Sequence, residues 1–429
     1  MLEAGATLNK MHAALFFLAI AALMAGIAHG SQNLREIHAD EVLEKIARGE
    51  EIDYDKAIIT GNLDLNDLNL PRDDFGRRII AAEICINNSL IEGDVDFDHS
   101  NFISKIDLSG TTFHGNANFS YSHFASIASL RNASFLKHAD FTWTEFKSQL
   151  DLSEAVFSKG ACFDHAEIYE FGNLAFASFK GYASFKDVVF SSYAFLTGAQ
   201  FDNGVSFYRT EFHRETRFDG ARFLGYANFN DSRFSDYAYF LGSDFQGPIS
   251  LNNTKITDWM IDWSLIDGHL VYNKAAYHAL MQRLWASGNF DDYDDCYYHY
   301  RWQRQSYQPM GISKAIDILT WILCGYGVRP LRTLASGFMI IILFGIIYWK
   351  VKLVPRFNNF KLANPSKRED SIISAVEEAM YFSIMMFVTR PPYGLHSAGR
   401  WKYLIILEYV LGWLIMALFL VIMVRLTIR

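Results

Sequence analysis

Few residues in this chain have the types and spacing that could support chemistry. The four aspartates between residues 291 and 295 could attract a cation, but the segment lacks the glycine and the closing glutamate of a calcium-binding loop. Cys296 and His299 supply only half of a zinc site. We interpret the aspartates as a helix start, where carboxylates stabilise the exposed N–H groups. The sequence therefore predicts no metal site and no cofactor.

The sequence also lacks the short motifs of common enzymes. It contains no phosphate-binding P-loop, no nucleophile elbow, no zinc-protease helix and no dinucleotide-binding glycine motif. His114, His123, His138 and His165 are interpreted as residues of solvated corners rather than of a site. A net charge of −8 argues against nucleic-acid binding through bulk positive charge. We predict a protein that is not an enzyme and binds no nucleic acid.

The strongest candidate site lies between two long apolar runs near the C-terminus. The first run is Leu334 to Trp349, and the second, Tyr403 to Val424, carries one charged residue, Glu408. We interpret both as membrane-spanning helices, because a soluble core helix rarely stays apolar over such a length. Backbone carbonyls held between two such helices could replace the water around a permeating ion. The residues concerned are Thr389, Arg390, Pro391, Pro392, Tyr393 and Gly394.

The order of these elements resembles the two-helix pore module of potassium-type channels. Residues 326–429 hold a first spanning helix, a re-entrant segment at 371–400 and a second spanning helix. The matching positions are Ala379, Tyr381, Phe382 and Ser383 in the pore helix, Thr389, Tyr393 and Gly394 in the filter, and Glu408 and Gly412 in the inner helix. The resemblance implies a homotetramer around one ion pathway in a lipid bilayer.

The filter-like residues depart from that family's pattern. Filter glycines take positive φ, whereas Pro391 and Pro392 each fix φ at about −65°. Arg390 adds a positive charge where cations would gather. Potassium selectivity by the usual route is therefore not expected, and two alternatives stay open: a pore of another selectivity, or a non-conducting anchor derived from such a pore. A second GYG triplet, in Cys324 to Gly327, precedes the first spanning helix and is predicted to be a turn.

The middle of the chain repeats with an eleven-residue period. Two interleaved series, Phe113 to Phe245 and Phe119 to Leu251, hold 26 positions that are all Phe, Leu or Ile. Two residues before them, 22 of the 26 positions are Ala, Ser, Thr or Gly. Residues two apart point to one face of a strand, and steps of 5 and 6 do not keep one face of a helix. Phe and Leu alternate in the second series, which predicts a coil of about 22 residues with four short sides.

The triplets Ala117-Asn118-Phe119, Ala139-Asp140-Phe141 and Ala227-Asn228-Phe229 resemble the unit of the pentapeptide-repeat family. The resemblance covers about 165 residues and implies a right-handed quadrilateral β-helix with Phe rings stacked along its axis. This chain departs from the family unit by a sixth residue in alternate units. We expect the surface of the solenoid to bind a protein partner, which the sequence does not identify, or to pack between subunits.

The predicted fold class is a β-solenoid with an α-helical connector and C-terminal transmembrane helices. The predicted parts are residues 1–30, a signal peptide or N-terminal membrane anchor; 31–80, an N-terminal helix and capping coil; 81–252, the repeat β-helix; 253–325, the helical connector; and 326–429, the channel-like module.

Two features bear on the side of the membrane that the solenoid occupies. The apolar run Ala13 to Ala28 fits a secretory signal, with an uncleaved anchor as the alternative, and a signal would place the solenoid outside. Between Lys350 and Lys402, nine Lys or Arg against four Asp or Glu place that segment in the cytoplasm. A potassium-type pore loop would instead lie outside. We expect a multi-pass protein of the cell membrane with an extracytoplasmic solenoid.

Overall fold

The computed structural model describes residues 35–352, 372–389 and 401–427. The chain divides into two compact units, Met1–Val271 and Tyr272–Arg429. The predicted signal peptide or anchor at residues 1–30 lies outside the described residues, as do Arg390 to Gly394 of the filter-like segment.

The first unit is a parallel β-solenoid of about ten turns, as the repeat predicts. One side is a ten-stranded sheet of Arg35–His38, Ala57–Thr60, Leu90–Ile91, Thr112–Phe113, Ser134–Phe135, Val156–Phe157, Ser178–Phe179, Gln200–Phe201, Arg222–Phe223 and Asp244–Phe245. A second side is a nine-stranded sheet of Leu63–Asp64, Val95–Asp96, Ala117–Asn118, Ala139–Asp140, Ala161–Cys162, Ala183–Ser184, Val205–Ser206, Ala227–Asn228 and Ile249–Ser250.

The other two sides belong to one seventeen-stranded sheet. Its strands are Ile52–Asp55, Arg78–Ile80, Ile84–Asn87, Ser100–Phe102, Ile106–Asp107, His123–Phe124, Ala128–Ser129, Glu145–Phe146, Leu150–Asp151, Glu167–Ile168, Gly172–Asn173, Val189–Phe190, Ala194–Phe195, Glu211–Phe212, Thr216–Arg217, Arg233–Tyr239 and Lys255–Met260. Arg233–Tyr239 joins the two sides, because its first residues pair with Glu211–Phe212 and its last with Thr216–Arg217.

The predicted coil length is confirmed by the register of the strands. Phe113 pairs with Phe135, and Ala117 pairs with Ala139, so each residue meets its equivalent one predicted coil later. Rings of equivalent Phe residues stack inside the coil at centroid distances near the strand separation, such as 4.6 Å between Phe113 and Phe135. Neighbouring stacks meet edge to face, and these rings form the buried core.

The solenoid begins earlier in the chain than the Phe repeat. Arg35 already pairs with Ala57, one regular coil later, but the next coil is longer, because Ile58 pairs with Leu90. The ten additional residues interrupt the period, and the first coils are filled by residues such as Ile59 rather than by Phe. For both reasons, an eleven-residue pattern of Phe and Leu does not detect these coils.

The first helix and the short helix after the repeat belong to the solenoid unit. Helix α1 (Ala39–Arg48) begins at the cap residue His38 and ends at Gly49, which takes a positive φ of 68°. Its apolar face contacts the first coil. Helix α2 (Trp263–Ile266) lies near the last strands, and Leu270 forms an isolated bridge with Ile249.

The second unit is helical in its described part. Its helices are α3 (Lys274–Ala286), α4 (Phe290–Tyr307), α5 (Ile312–Cys324), α6 (Pro330–Val351), α7 (Ile372–Val388) and α8 (Lys402–Thr427). A 3-10 turn, Gly325–Gly327, joins α5 to α6. Among the described residues, α6 and α8 are the two helices that are long and apolar enough to cross a membrane.

Candidate functional site

Helices α6, α7 and α8 pack together, and their contacts fix the direction of each. The Phe382 ring of α7 lies 5.3 Å from the Tyr348 ring near the end of α6, whereas Phe387 lies beside Gly337 near the beginning of α6. In α8, Glu408 accepts a hydrogen bond from Tyr348, whereas Ile415, seven residues later, lies beside Gly337. Helices α7 and α8 therefore both run antiparallel to α6 and in the same direction as each other.

The carboxyl group of Glu408 lies in the middle of these three helices. Its side chain is fully buried. The Tyr348 hydroxyl of α6 donates to it at 2.5 Å, and the Ser383 hydroxyl of α7 donates to it as well. The Ser383 oxygen also lies 2.9 Å from the Ile341 carbonyl oxygen of α6. One polar cluster thus joins all three helices inside an apolar core.

Glycines allow the helices to approach closely around this cluster. A Cβ atom on Gly412 would lie 2.3 Å from the Phe387 carbonyl oxygen, a distance that no side chain could accept. A Cβ atom on Gly345 would lie 2.4 Å from the Met380 sulfur. The sequence placed Gly412 in the inner-helix motif, and the structure shows that it is the point where the end of α7 contacts α8.

Of the six filter-like residues, the structure describes Thr389. Its hydroxyl donates to the Met385 carbonyl at 2.6 Å, so it extends the hydrogen bonding at the end of α7. Phe382 and Ser383, predicted for a pore helix, are buried on the face toward α6 and α8, whereas Tyr381 is exposed. The filter-like segment thus starts where α7 ends, beside Gly412.

The GYG triplet that precedes α6 forms a turn, as predicted. Gly325, Tyr326 and Gly327 have φ values of 54°, 59° and 83°, which reverse the chain between α5 and α6. The Tyr326 hydroxyl donates to the Gln305 side chain of α4. The turn is therefore packed against the connector.

Acidic residues of α4 hold the ends of the two apolar helices. Asp294, which is buried, lies 3.0 Å from the Arg425 guanidinium near the end of α8. Arg425 also donates to the Gly327 carbonyl at 3.2 Å, and Asp295 lies 2.8 Å from Arg329, the cap residue of α6. The sequence does not predict these pairs, because 131 positions separate Asp294 from Arg425.

The remaining candidates from the sequence have structural roles. Asn289 caps α4 and places Asp291 in its first turn, which confirms the helix start. The His299 Nδ1 lies 2.6 Å from the Tyr277 hydroxyl, and Cys296 is buried. Within the described residues, no group of three potential ligands could hold a metal ion.

His123 differs from the prediction for the solenoid histidines. His123 lies in the strand His123–Phe124, and its side chain is largely buried. Its Nδ1 lies 3.3 Å from a Glu145 carboxylate oxygen. Arg77, from the additional residues of the early coils, lies 3.3 Å from the other oxygen of the same carboxylate. Burial, and then the positive charge of Arg77, lowers the pKa of His123.

The Asp294–Arg425 pair gives a stability prediction. Asp294→Asn is expected to destabilise the helical unit by about 1–3 kcal/mol, because Arg425 loses a charged partner in a partly buried place. Asp291→Asn, the same change at an exposed position of α4, is the matched control. Thermal unfolding in detergent measures both variants, and an equal loss of Tm would contradict a specific role for the pair.

Comparison with known proteins bears on the solenoid. A family model described as pentapeptide repeats (9 copies) matches residues 207–255. No curated protein and no solved structure matches the chain. The matched residues cover the last regular coils, in which Ala227-Asn228-Phe229 lies on the nine-stranded side. The coils of this solenoid are therefore built, at residues 207–255, from pentapeptide repeats.

Proposed function

We propose that this chain is an integral membrane protein whose helices α6, α7 and α8 form an ion-channel-like module. The observation that carries the proposal is the shared direction of α7 and α8. The chain leaves α7 beside Gly412 and enters α8 at Lys402, ten residues or about 15 Å earlier along that helix. A chain segment that enters the membrane and leaves it on the same side is a re-entrant segment, and pore segments of channels have this arrangement.

The buried Glu408 cluster supports the same proposal. A carboxyl group inside a membrane-spanning bundle is costly and is usually retained for a functional reason. Here it joins α7 to both spanning helices through Ser383 and Tyr348. This arrangement would hold the end of α7 at a fixed depth, which a filter requires.

The residues that follow α7 argue for a selectivity other than potassium. Pro391 and Pro392 are incompatible with the positive φ of filter residues, and Arg390 is unfavourable to cations. A non-conducting anchor derived from such a pore is the second candidate, and the same three residues favour it. In that case the chain is a membrane-anchored scaffold and transports nothing.

We further propose that the solenoid binds a protein partner or packs between subunits. A ladder of rings lies on its surface: His99 stacks on Tyr121 at 4.8 Å, and Trp143 stacks on His165 at 4.2 Å. Tyr121 and Trp143 are exposed, and such residues are enriched in protein interfaces. From its resemblance to potassium-type modules, the proposed assembly is a homotetramer, with the solenoid on the extracytoplasmic side as the predicted signal favours.

Recording from purified protein in planar bilayers tests conduction. We expect ionic current, and we expect Arg390→Gly to increase cation conductance several-fold, because removing the charge lowers the electrostatic barrier at the filter. Arg400→Gly removes the same charge outside the six filter-like residues and is the matched control. Absence of current from both the native protein and the Arg390→Gly variant would contradict the channel proposal and favour the membrane-anchored scaffold.

A further inference from the structure

Helix α5 carries an apolar face that is exposed in the described part of the chain. Ile312, Ile316, Leu319 and Ile322 have between 54% and 82% of their surface exposed. Their spacing of four, three and three residues places them on one side of the helix. Four large aliphatic residues on a helix of 13 residues form a continuous stripe that water would solvate poorly.

The opposite face of α5 is fixed by polar contacts, so the helix cannot rotate to bury the stripe. Asp317 is buried and accepts from the Arg301 guanidinium of α4 at 2.7 Å. The Trp321 indole N–H donates to the Tyr298 hydroxyl of α4 at 2.8 Å. These contacts therefore hold the apolar face away from α4 in the described part of the chain.

A contact with α6 sets the level of α5 along the first spanning helix. The Ser336 hydroxyl of α6 donates to the Leu323 carbonyl near the end of α5 at 3.1 Å. Ser336 is six residues after Pro330, or about 9 Å from the start of α6. Helix α6 has 22 residues and is about 33 Å long, which is close to the ~30 Å thickness of the hydrocarbon core. The end of α5 thus lies about 7 Å past the point where α6 would enter the hydrocarbon.

We infer that α5 lies in the membrane interface, with its apolar face in the boundary between headgroups and acyl chains of a lipid bilayer. The aromatic residues at this level agree with that position. Arg332 lies over the rings of both Trp321 and Tyr298, and Trp and Tyr are enriched at the headgroup level. The inference rests on the proposed insertion of α6 and α8, but it does not depend on conduction or on which side the solenoid faces.

The consequence is a direct link between the bilayer and the ends of the spanning helices. Helix α5 contacts α4 through Arg301, and α4 holds Arg425 of α8 through Asp294. A change in the depth of α5 would therefore act on the end of α8 through two ion pairs on one helix.

Spin-label depth measurements in phosphatidylcholine vesicles test the inference. Labels are attached to Ile316→Cys or Leu319→Cys in the full chain, after the four native cysteines have been replaced with alanine. We expect both labels to lie about 5–10 Å below the headgroups, with high oxygen and low nickel-chelate collision rates. Two reference positions are Ser287→Cys, in the exposed turn after α3, and Leu414→Cys, on the exposed face of α8.

The reference labels separate the possible outcomes. If Leu414→Cys reports lipid while the α5 labels collide with the nickel chelate as often as Ser287→Cys does, the inference is overturned and membrane insertion stands. If the α5 labels are shielded from both reagents, a second protein surface covers the stripe, and the inference is also overturned. If Leu414→Cys itself reports water, insertion of α8 fails, and the proposed function fails with it.

A measurement on the unaltered chain guards against misfolding of the cysteine variants. Vesicles that contain a diazirine-labelled lipid are irradiated, and the labelled peptides are identified by mass spectrometry. We expect label on residues 312–324 and 330–351 but not on 274–286. Label on 330–351 alone would overturn the interfacial position of α5.

Discussion

Replacement of Glu408 with leucine is expected to disrupt the packing of α6, α7 and α8. The change removes the acceptor shared by Tyr348 and Ser383 and leaves their hydroxyls inside an apolar core. The Tyr348 hydroxyl loses its partner, which costs about 1–3 kcal/mol, whereas Ser383 loses one of two acceptors and can still donate to the Ile341 carbonyl, which costs about 0.5–1.5 kcal/mol. The expected loss of stability is therefore about 1.5–4.5 kcal/mol. A loss of this size would release the end of α7 from its contact with Gly412.

Glu408→Gln is the matched control for this prediction. The amide oxygen of glutamine occupies nearly the same place and accepts from a hydroxyl, so this variant is expected to keep most of the stability. Thermal unfolding in detergent, followed by tryptophan fluorescence, measures both proteins. Equal stability of the leucine and glutamine variants would show that the cluster does not hold the three helices together.

Removal of one ring from the solenoid core is expected to have an effect of similar size. Phe163 is fully buried between Phe141 and Phe185, at centroid distances of 4.7 and 4.8 Å. Phe163→Ala leaves a cavity in a continuous stack, and the expected cost is about 3–5 kcal/mol. Each coil contacts only its neighbours, so the loss divides the solenoid into two shorter stacks.

Phe176→Ala provides a control of the same chemistry at an exposed place. Phe176 has 65% of its surface exposed, and its truncation is expected to change stability by less than about 0.5 kcal/mol. Hydrogen exchange on the full-length chain compares the variants. Faster exchange should appear in the coils next to residue 163, and an equal response of the two variants would contradict the ring stack as the source of stability.

Several elements of the fold follow from local patterns. The two series of Phe and Leu predict the coil length, and strands one coil apart pair as expected. The break at Ser287 and the cap at Asn289 lie where α3 ends and α4 begins. The long apolar runs coincide with α6 and α8. Each of these patterns lies within one short segment or repeats along the chain, so nearby residues are sufficient to predict the structure.

The start of the solenoid was less visible in the sequence. The strands from Arg35 onward belong to the same sheets as the Phe coils, but Ile fills their core and ten additional residues break the period. An eleven-residue pattern detects coils only where both the spacing and the residue type recur. The first coils lack the recurring Phe residues, and ten additional residues interrupt their spacing after the first regular coil.

The amino-acid sequence alone predicted the length of the coil, its aromatic core and the two apolar helices. Each of these features is encoded by a repeat or by an apolar run within one segment. The contacts that define the candidate site depend on the folded chain. Glu408 meets Tyr348 across 60 positions, and Arg425 meets Asp294 across 131. Local sequence patterns cannot predict these contacts, because they depend on the direction in which the helices pack. Single residues therefore indicated where a site could lie, and packing decided which of them meet.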